Sequence, residues 1–236
     1  QADHALTINL DQSDEAAQSV LWEVKSTFDT PSGQWVYKIH LDRARLKGKK
    51  LRLAECATCL ANSMDQVMAG MAQANGGSRR NGGYYPFRLD LDDFRAAVRR
   101  AEVEIGSDFA AKITEHHLGH RLEWPHVKAM KELSNSGKHW ELKVPKSSSH
   151  AIAVNAPNGR QKILQIPEGA FDSQDEFEFY RGPERLPESP MTIVLKHEIS
   201  GLPAGLPKSP DLILESAFRY VENLVASAFT AVPRVC

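Results

Sequence analysis

Apolar residues recur at three- and four-residue spacing through most of the chain and at two-residue spacing in a shorter middle stretch. The pattern predicts helices surrounding a group of short strands. Ala5 to Leu10 reads as extended. Ser13 and Asp14 then stand as caps for a helix whose Val20, Leu21, Val24 and Phe28 share one face, with Pro31-Ser32-Gly33 as its stop. Trp35, Tyr37, Ile39 and Leu41 alternate with Lys38, His40 and Asp42, which predicts a strand with one buried face. The clearest helix runs from about Lys50 to Asn75. Its stripe is Leu53, Ala57, Leu60, Met64, Val67, Met68 and Met71, and Asn75-Gly76-Gly77 ends it. The methionines read as gap-filling core residues.

Residues 76–83 (GGSRRNGG) form a polar loop carrying Arg79 and Arg80, followed by the aromatic run Tyr84, Tyr85, Pro86, Phe87. Asp90 is placed to cap a helix with Leu91, Phe94 and Val98 inward. Another helix spans about Asp108 to Leu118 and stops at Gly119. Pro125 suits the first position of a helix to Gly137, with Val127, Met130 and Leu133 inward. Beyond His139 the period shortens. Glu141 to Val144, Ala151 to Val154, Lys162 to Ile166, Glu176 to Tyr180 and Met191 to Ile199 are predicted strands, with an Asn158-Gly159 turn signal among them. Ser209 and Pro210 open a last helix whose Ile213, Ala217, Tyr220, Val221, Leu224 and Ala228 form one apolar side. Helices, a strand meander and a closing helix predict α+β: a helical bundle with an inserted small antiparallel sheet. One domain is expected over 1–236, mainly helical over 1–139, with a β insert at 140–200 and the closing helix at 209–230.

Composition narrows the classes of function. With 29 basic against 30 acidic side chains, the net charge of −1 gives no overall pull toward nucleic acid or anionic lipid, so any basic site must be local. No apolar run approaches the roughly 18 residues of a membrane span, so no membrane partner is expected. The polar start QADHALTINLDQSDE carries no leader pattern. Three cysteines are too few for a disulfide framework, which makes a reducing cytoplasm the expected setting.

Five groups of residues could carry chemistry. Asn135, Lys138 and His139 gather at one predicted helix end, with Asn135 and His139 four apart on a shared face. A His near neutral pKa can take a proton from a ribose 2′-hydroxyl, a Lys can balance the charge on a pentavalent phosphate, and an Asn can fix either. Asp65 could orient the imidazole if the two helices face each other. The same residues also suit a structural role, since Lys and His are favoured at a helix C-terminus and an Asn–Asp pair can fix helix register. Arg79 and Arg80, with Tyr84 and Tyr85 after them, combine phosphate-seeking charge with stacking surface, and Arg88, Arg95, Arg99 and Arg100 follow; balanced by Asp90, Asp92 and Asp93, they also read as a solvated face. Arg121 and His126 have the spacing of a nuclease motif, but Gly119 and Pro125 break the helix it requires, which predicts a solvated Arg121 and an exposed His126. His116 and His120 have the spacing of helical zinc ligands without HExxH order; they read as surface histidines, and no metal or other cofactor is expected. Cys56 and Cys59 lie well inside a helix rather than at its N-terminus, so buried structural thiols are expected there, with Cys236 a free thiol.

Two stretches carry a family resemblance. CLANSMDQVMAGMAQANGG followed by YYPF, and MKELSNSGKHWEL running into LKVP, resemble a group of mostly uncharacterised bacterial helical proteins. Those proteins have a Leu-Asp-His-Leu type segment, a Phe-Pro element and a later Leu-x-Asn-x-x-Lys-His segment. The matching positions are Asp65, Pro86, Phe87, Leu133, Asn135, Lys138 and His139, within Leu51 to Leu142; Gln66 stands where the group has His. In outline the group is similar to HEPN-type helical proteins, many of them RNases of toxin and defence systems. The resemblance implies an RNA-binding protein or metal-independent ribonuclease, with a His and a basic residue on a helix at a dimer interface. In that reading His139 is the acid/base, Lys138 the phosphate stabiliser, Asn135 and Asp65 the orienting groups, and Arg79, Arg80 and Tyr85 the RNA contacts. The missing His at Gln66 and the near-neutral charge suit a different class, a non-catalytic interaction module of a defence or mobile-element system, acting as a homodimer or on a protein partner.

Overall fold

In a computed structural model, the structure describes residues 22–76, 84–135, 140–143, 150–155, 161–167, 170–171, 175–186, 191–194 and 197–231. The fold is α+β, with helices packed as a bundle and small antiparallel sheets. The chain divides into two compact units, one of residues 1–49 and 142–198, the other of residues 50–141 and 199–236. Residues 22–41, within the stretch expected to be mainly helical, form strands and group with the β unit.

The β unit opens on a hairpin, β1 (Trp22–Asp29) and β2 (Gln34–Leu41), paired antiparallel from Trp22 opposite Leu41 to Asp29 opposite Gln34. The expected helix face through Val24 and Phe28 is thus a strand. Trp22, Val24 and Phe28 also satisfy a period of two, and Gly33 at φ +66° makes the tight turn that returns the chain. β2 also pairs with β6 (Glu176–Gly182), with a register shift between Tyr37 and Lys38. That bulge lets consecutive residues Val36 and Tyr37 both be buried, which simple alternation forbids. Trp22, Ile39 and Ile166 form the core here, with Phe171, Phe177 and Phe179 packed against them. A second sheet has the order β5 (Gln161–Ile166), β4 (His150–Asn155), β7 (Met191–Val194). The short strands β3 (Glu141–Lys143) and β8 (Glu198–Ser200) pair with each other. The expected strand over Met191 to Ile199 is thus two strands. Residues 1–21, with the expected Ala5 strand and Ser13–Asp14 cap, lie outside the described residues, as do Gly137, Asn158, Gly159 and Cys236.

The helical unit comprises most of α1 (Arg43–Ala74), with α2 (Leu91–Ile105), α3 (Ser107–Gly119), α4 (Trp124–Asn135) and α5 (Pro210–Ala231). α1 starts two turns before the predicted Lys50, in the basic stretch RARLKGKK that has no apolar stripe to announce a helix. Its buried face is Leu53, Ala57, Ala61, Met64, Met68, Met71 and Ala72, close to the expected stripe. Asp90 caps α2, accepting from the N–H groups of Asp92 at 2.9 Å and Asp93 at 3.0 Å. α2 packs on α3, while α3 and α4 both pack on α5. Every residue assigned to the apolar side of α5 is buried.

Gly106 joins α2 to α3 at φ +85° and ψ 150°, a combination essentially reserved for glycine, and a Cβ there would lie 3.2 Å from Asn75 Oδ1. Gly106→Ala is expected to cost about 1–3 kcal/mol in urea unfolding; an unchanged midpoint would show that the joint relaxes freely.

Candidate functional site

The segment 84–90 leading into α2 is pinned by one residue. Tyr85 donates its N–H to Asp65 Oδ1 at 2.8 Å, and its hydroxyl lies 2.6 Å from that of Tyr220 on α5. Its ring sits edge-on to Phe87 at 5.3 Å and 6.1 Å from Phe94. Tight turns follow, with Phe87 N–H donating to the Tyr85 carbonyl and Arg88 N–H to the Pro86 carbonyl. Tyr85 is buried while Tyr84 next to it is 82% exposed. This corrects the expected role of Tyr85. Its buried ring anchors the segment, and the free stacking face belongs to Tyr84.

Against this segment lies a cleft of about 500 Å³ lined by Tyr84 to Arg88, by Ala97, Arg100 and Ala101 of α2, and by Lys128, Lys131 and Asn135 of α4. Ala97 and Ala101 stand one turn apart on the same helix face, and their small side chains leave space that larger ones would fill. Lys128, Lys131 and Asn135 repeat at three and four residues, so α4 presents them as one row. Lys131 Nζ lies 4.8 Å from the centre of the Phe87 ring, a cation–π contact that holds the ammonium at the cleft. Lys128 is paired with Glu132 at 3.1 Å, whereas Arg88 and Arg100 are exposed. The lining therefore offers cationic groups, aromatic surface and one amide, the set that phosphates and bases use.

Of the residues expected from sequence, Asn135 and Tyr85 line the cleft. Asp65 is half-buried behind the segment with its carboxyl spent on the Tyr85 N–H. Burial pushes its pKa up, while that N–H and the nearby Lys131 charge pull it down. Lys138, His139, Arg79 and Arg80 lie outside the described residues. Sequence reasoning misses Lys128 and Lys131 because α4 announces itself by its apolar side, Val127, Met130 and Leu133, and the polar row between them carries no motif.

His116 is not a surface residue, nor is His117 beside it, while His120 is half-buried. His116 and His117 are 7% and 4% exposed because they continue the inward stripe of Phe109 and Ile113 along α3. His117 stacks on Phe94 at 3.9 Å and meets Trp124 edge-on, while His116 packs on Tyr220 at 4.4 Å. His116 Nε2, His117 Nδ1 and Trp124 Nε1 have no hydrogen-bond partner. Desolvation drives both imidazoles down to about 4, reinforced by His120 and His117 for His116 and by Arg121 for His117. His126 is half-buried rather than exposed, and burial lowers its pKa also; Arg121 is exposed as expected. Among the described residues no three His, Cys, Asp or Glu side chains converge on a point that could hold a metal.

Cys56 and Cys59 are both exposed, which corrects the expectation of buried thiols: they lie off the stripe of Leu53, Ala57, Ala61 and Met64. No helix among the described residues is long and apolar enough to cross a membrane. No protein-family model, curated protein or solved structure matches this chain.

Proposed function

We propose that this protein binds single-stranded RNA in the cleft beside α2 and α4, and that it is a cytoplasmic, metal-independent ribonuclease of HEPN-like outline. The lining carries the reading: Arg88, Arg100, Lys128 and Lys131 surround an opening of about 500 Å³, with the exposed Tyr84 ring at its side. That volume falls within the roughly 300–1,000 Å³ of small-ligand sites and suits a nucleotide rather than a duplex. The cations would take phosphates, and the exposed Tyr84 ring would take a base face. Asn135 lines the cleft, and Lys138 and His139 follow it three and four residues further along the chain. In this reading His139 removes the 2′-hydroxyl proton and returns it to the leaving oxygen, Lys138 offsets charge on the phosphorane, and Arg79 and Arg80 grip the backbone.

The test is fluorescence anisotropy of a short labelled single-stranded RNA, with gel analysis of the same RNA in chelator. Arg100→Ala and Lys131→Ala are each expected to weaken binding several-fold and to lower the slope of log K against log salt by about one. His139→Ala is expected to keep binding and lose cleavage. Binding unaffected by either cleft variant would overturn the reading. Binding without cleavage would leave an RNA-binding protein. A second reading, a non-catalytic protein-interaction module or homodimer, rests on the exposed apolar side chains of Phe218 on α5, 57% exposed, and Leu122, 87% exposed. RNA left unbound at low salt would favour it.

A further inference from the structure

We infer that Cys56 and Cys59 form a binding site on the outer face of α1 for a soft two-coordinate cation, copper(I). Both thiols are free and exposed, and neither takes part in the cleft. Three residues apart on a continuous helix, they sit about 4.5 Å apart along the axis and about 60° apart around it, so they point out side by side.

That spacing discriminates among the things two thiols can do. Cβ atoms at this separation lie roughly 5–6 Å apart. A disulfide needs them at about 3.5–4.5 Å, so closing one would distort the middle of α1. A metal ion bridging two sulfurs spans about 4.5 Å from sulfur to sulfur, twice a bond of about 2.3 Å, which the helix supplies through side-chain rotation alone. Zinc and iron–sulfur clusters want four ligands, and no third His, Cys, Asp or Glu converges on the pair among the described residues. The thioethers of Met64, Met68 and Met71 are turned into the core. Two thiolates, with no third donor among the described residues, are the donor set of a linear soft d¹⁰ ion. Binding exchanges two S–H bonds for two Cu–S bonds, releases two protons and leaves copper at the same oxidation state. The resulting unit carries one negative charge. Arg52, four residues before Cys56, can offset it, and Glu55, four before Cys59, opposes it.

The experiment is anaerobic titration of the full chain, carrying Cys236→Ser, with copper(I) bicinchoninate under thiol-free reduction, reading the loss of the purple chelate. One equivalent per chain is expected to transfer. Cys56→Ser and Cys59→Ser should each weaken copper binding by more than about 100-fold, beyond what loss of an outer-shell partner costs. Both sites are exposed, so urea midpoints should not move, and reduced transfer would then not reflect unfolding. Equal transfer by the Cys56→Ser/Cys59→Ser double variant, loss of transfer with Cys236→Ser alone, or one copper per two chains would each overturn the assignment. The outcome is independent of RNA binding at the cleft.

Discussion

Acidification from pH 7 to 4 is expected to strip several kcal/mol from the helical unit through two buried imidazoles. His116 and His117 are buried neutral, with pKa values near 4 in the fold against about 6.5 in the unfolded chain. Between those values the unfolded state binds more protons. Stability is therefore complete above about pH 6.5, falls as the pH drops, and levels off below about 4. Each imidazole contributes on the order of 3 kcal/mol over that window, since every pH unit between the two values is worth about 1.4 kcal/mol. Glu176 and Glu178, held low by Lys38 and Arg181, lose their contribution only at the acid end of the window. Urea midpoints at pH 7, 5.5 and 4 measure the fall, and His117→Phe separates its source. The variant keeps a ring against Phe94 and should remove close to half of the pH dependence. A slope equal to that of the parent would place the titration elsewhere.

Phe94→Ala should be the most damaging single truncation, at about 3–5 kcal/mol. Phe94 is fully buried and is the ring on which others rest: His117 stacks on it at 3.9 Å, Trp124 meets it edge-on at 5.7 Å and Tyr85 lies 6.1 Å away. Removing it leaves a cavity beside side chains that already hold unpaired nitrogens and cannot close over it freely. The loss is a large fraction of the roughly 5–15 kcal/mol that typical domains possess. Tyr85 rests on the same ring, so the RNA binding proposed for the cleft should weaken with it. Val103, exposed near the end of the same helix, gives the control: Val103→Ala should stay within about 0.5 kcal/mol. A cost below about 1 kcal/mol for Phe94→Ala would mean the rings repack.

Local signals are legible in the sequence where they are redundant. Asp90 as a cap, the Leu53 to Met71 stripe and the apolar side of α5 each combine a period with a start or stop, and each is seen. The β1 hairpin reads as a helix because Val20, Leu21, Val24 and Phe28 fit a period of four, while its pairing with β2 and β6 is tertiary information that no local window holds. The site divides the same way. Arg88, Arg100, Tyr84 and Asn135 are visible as residue types. The cleft itself depends on two alanines being small and on α4 turning its lysine row toward α2. Burial of Tyr85, and of His116 and His117, follows from which neighbours arrive, and residue type alone points outward for all three.

The division of the chain has a consequence for how the protein is made. Each unit draws on two separated stretches, and the chain crosses between them at residues 49–50, 141–142 and 198–199. During synthesis the hairpin at 22–41 waits for its partner strand at 176–182, and α3 and α4 wait for α5, so neither unit closes on the ribosome until late. No single cut can release one unit intact. Fragment expression is therefore expected to yield incomplete cores, and a genetic separation of the units would need a linker in place of 142–198 and another joining residues 49 and 142.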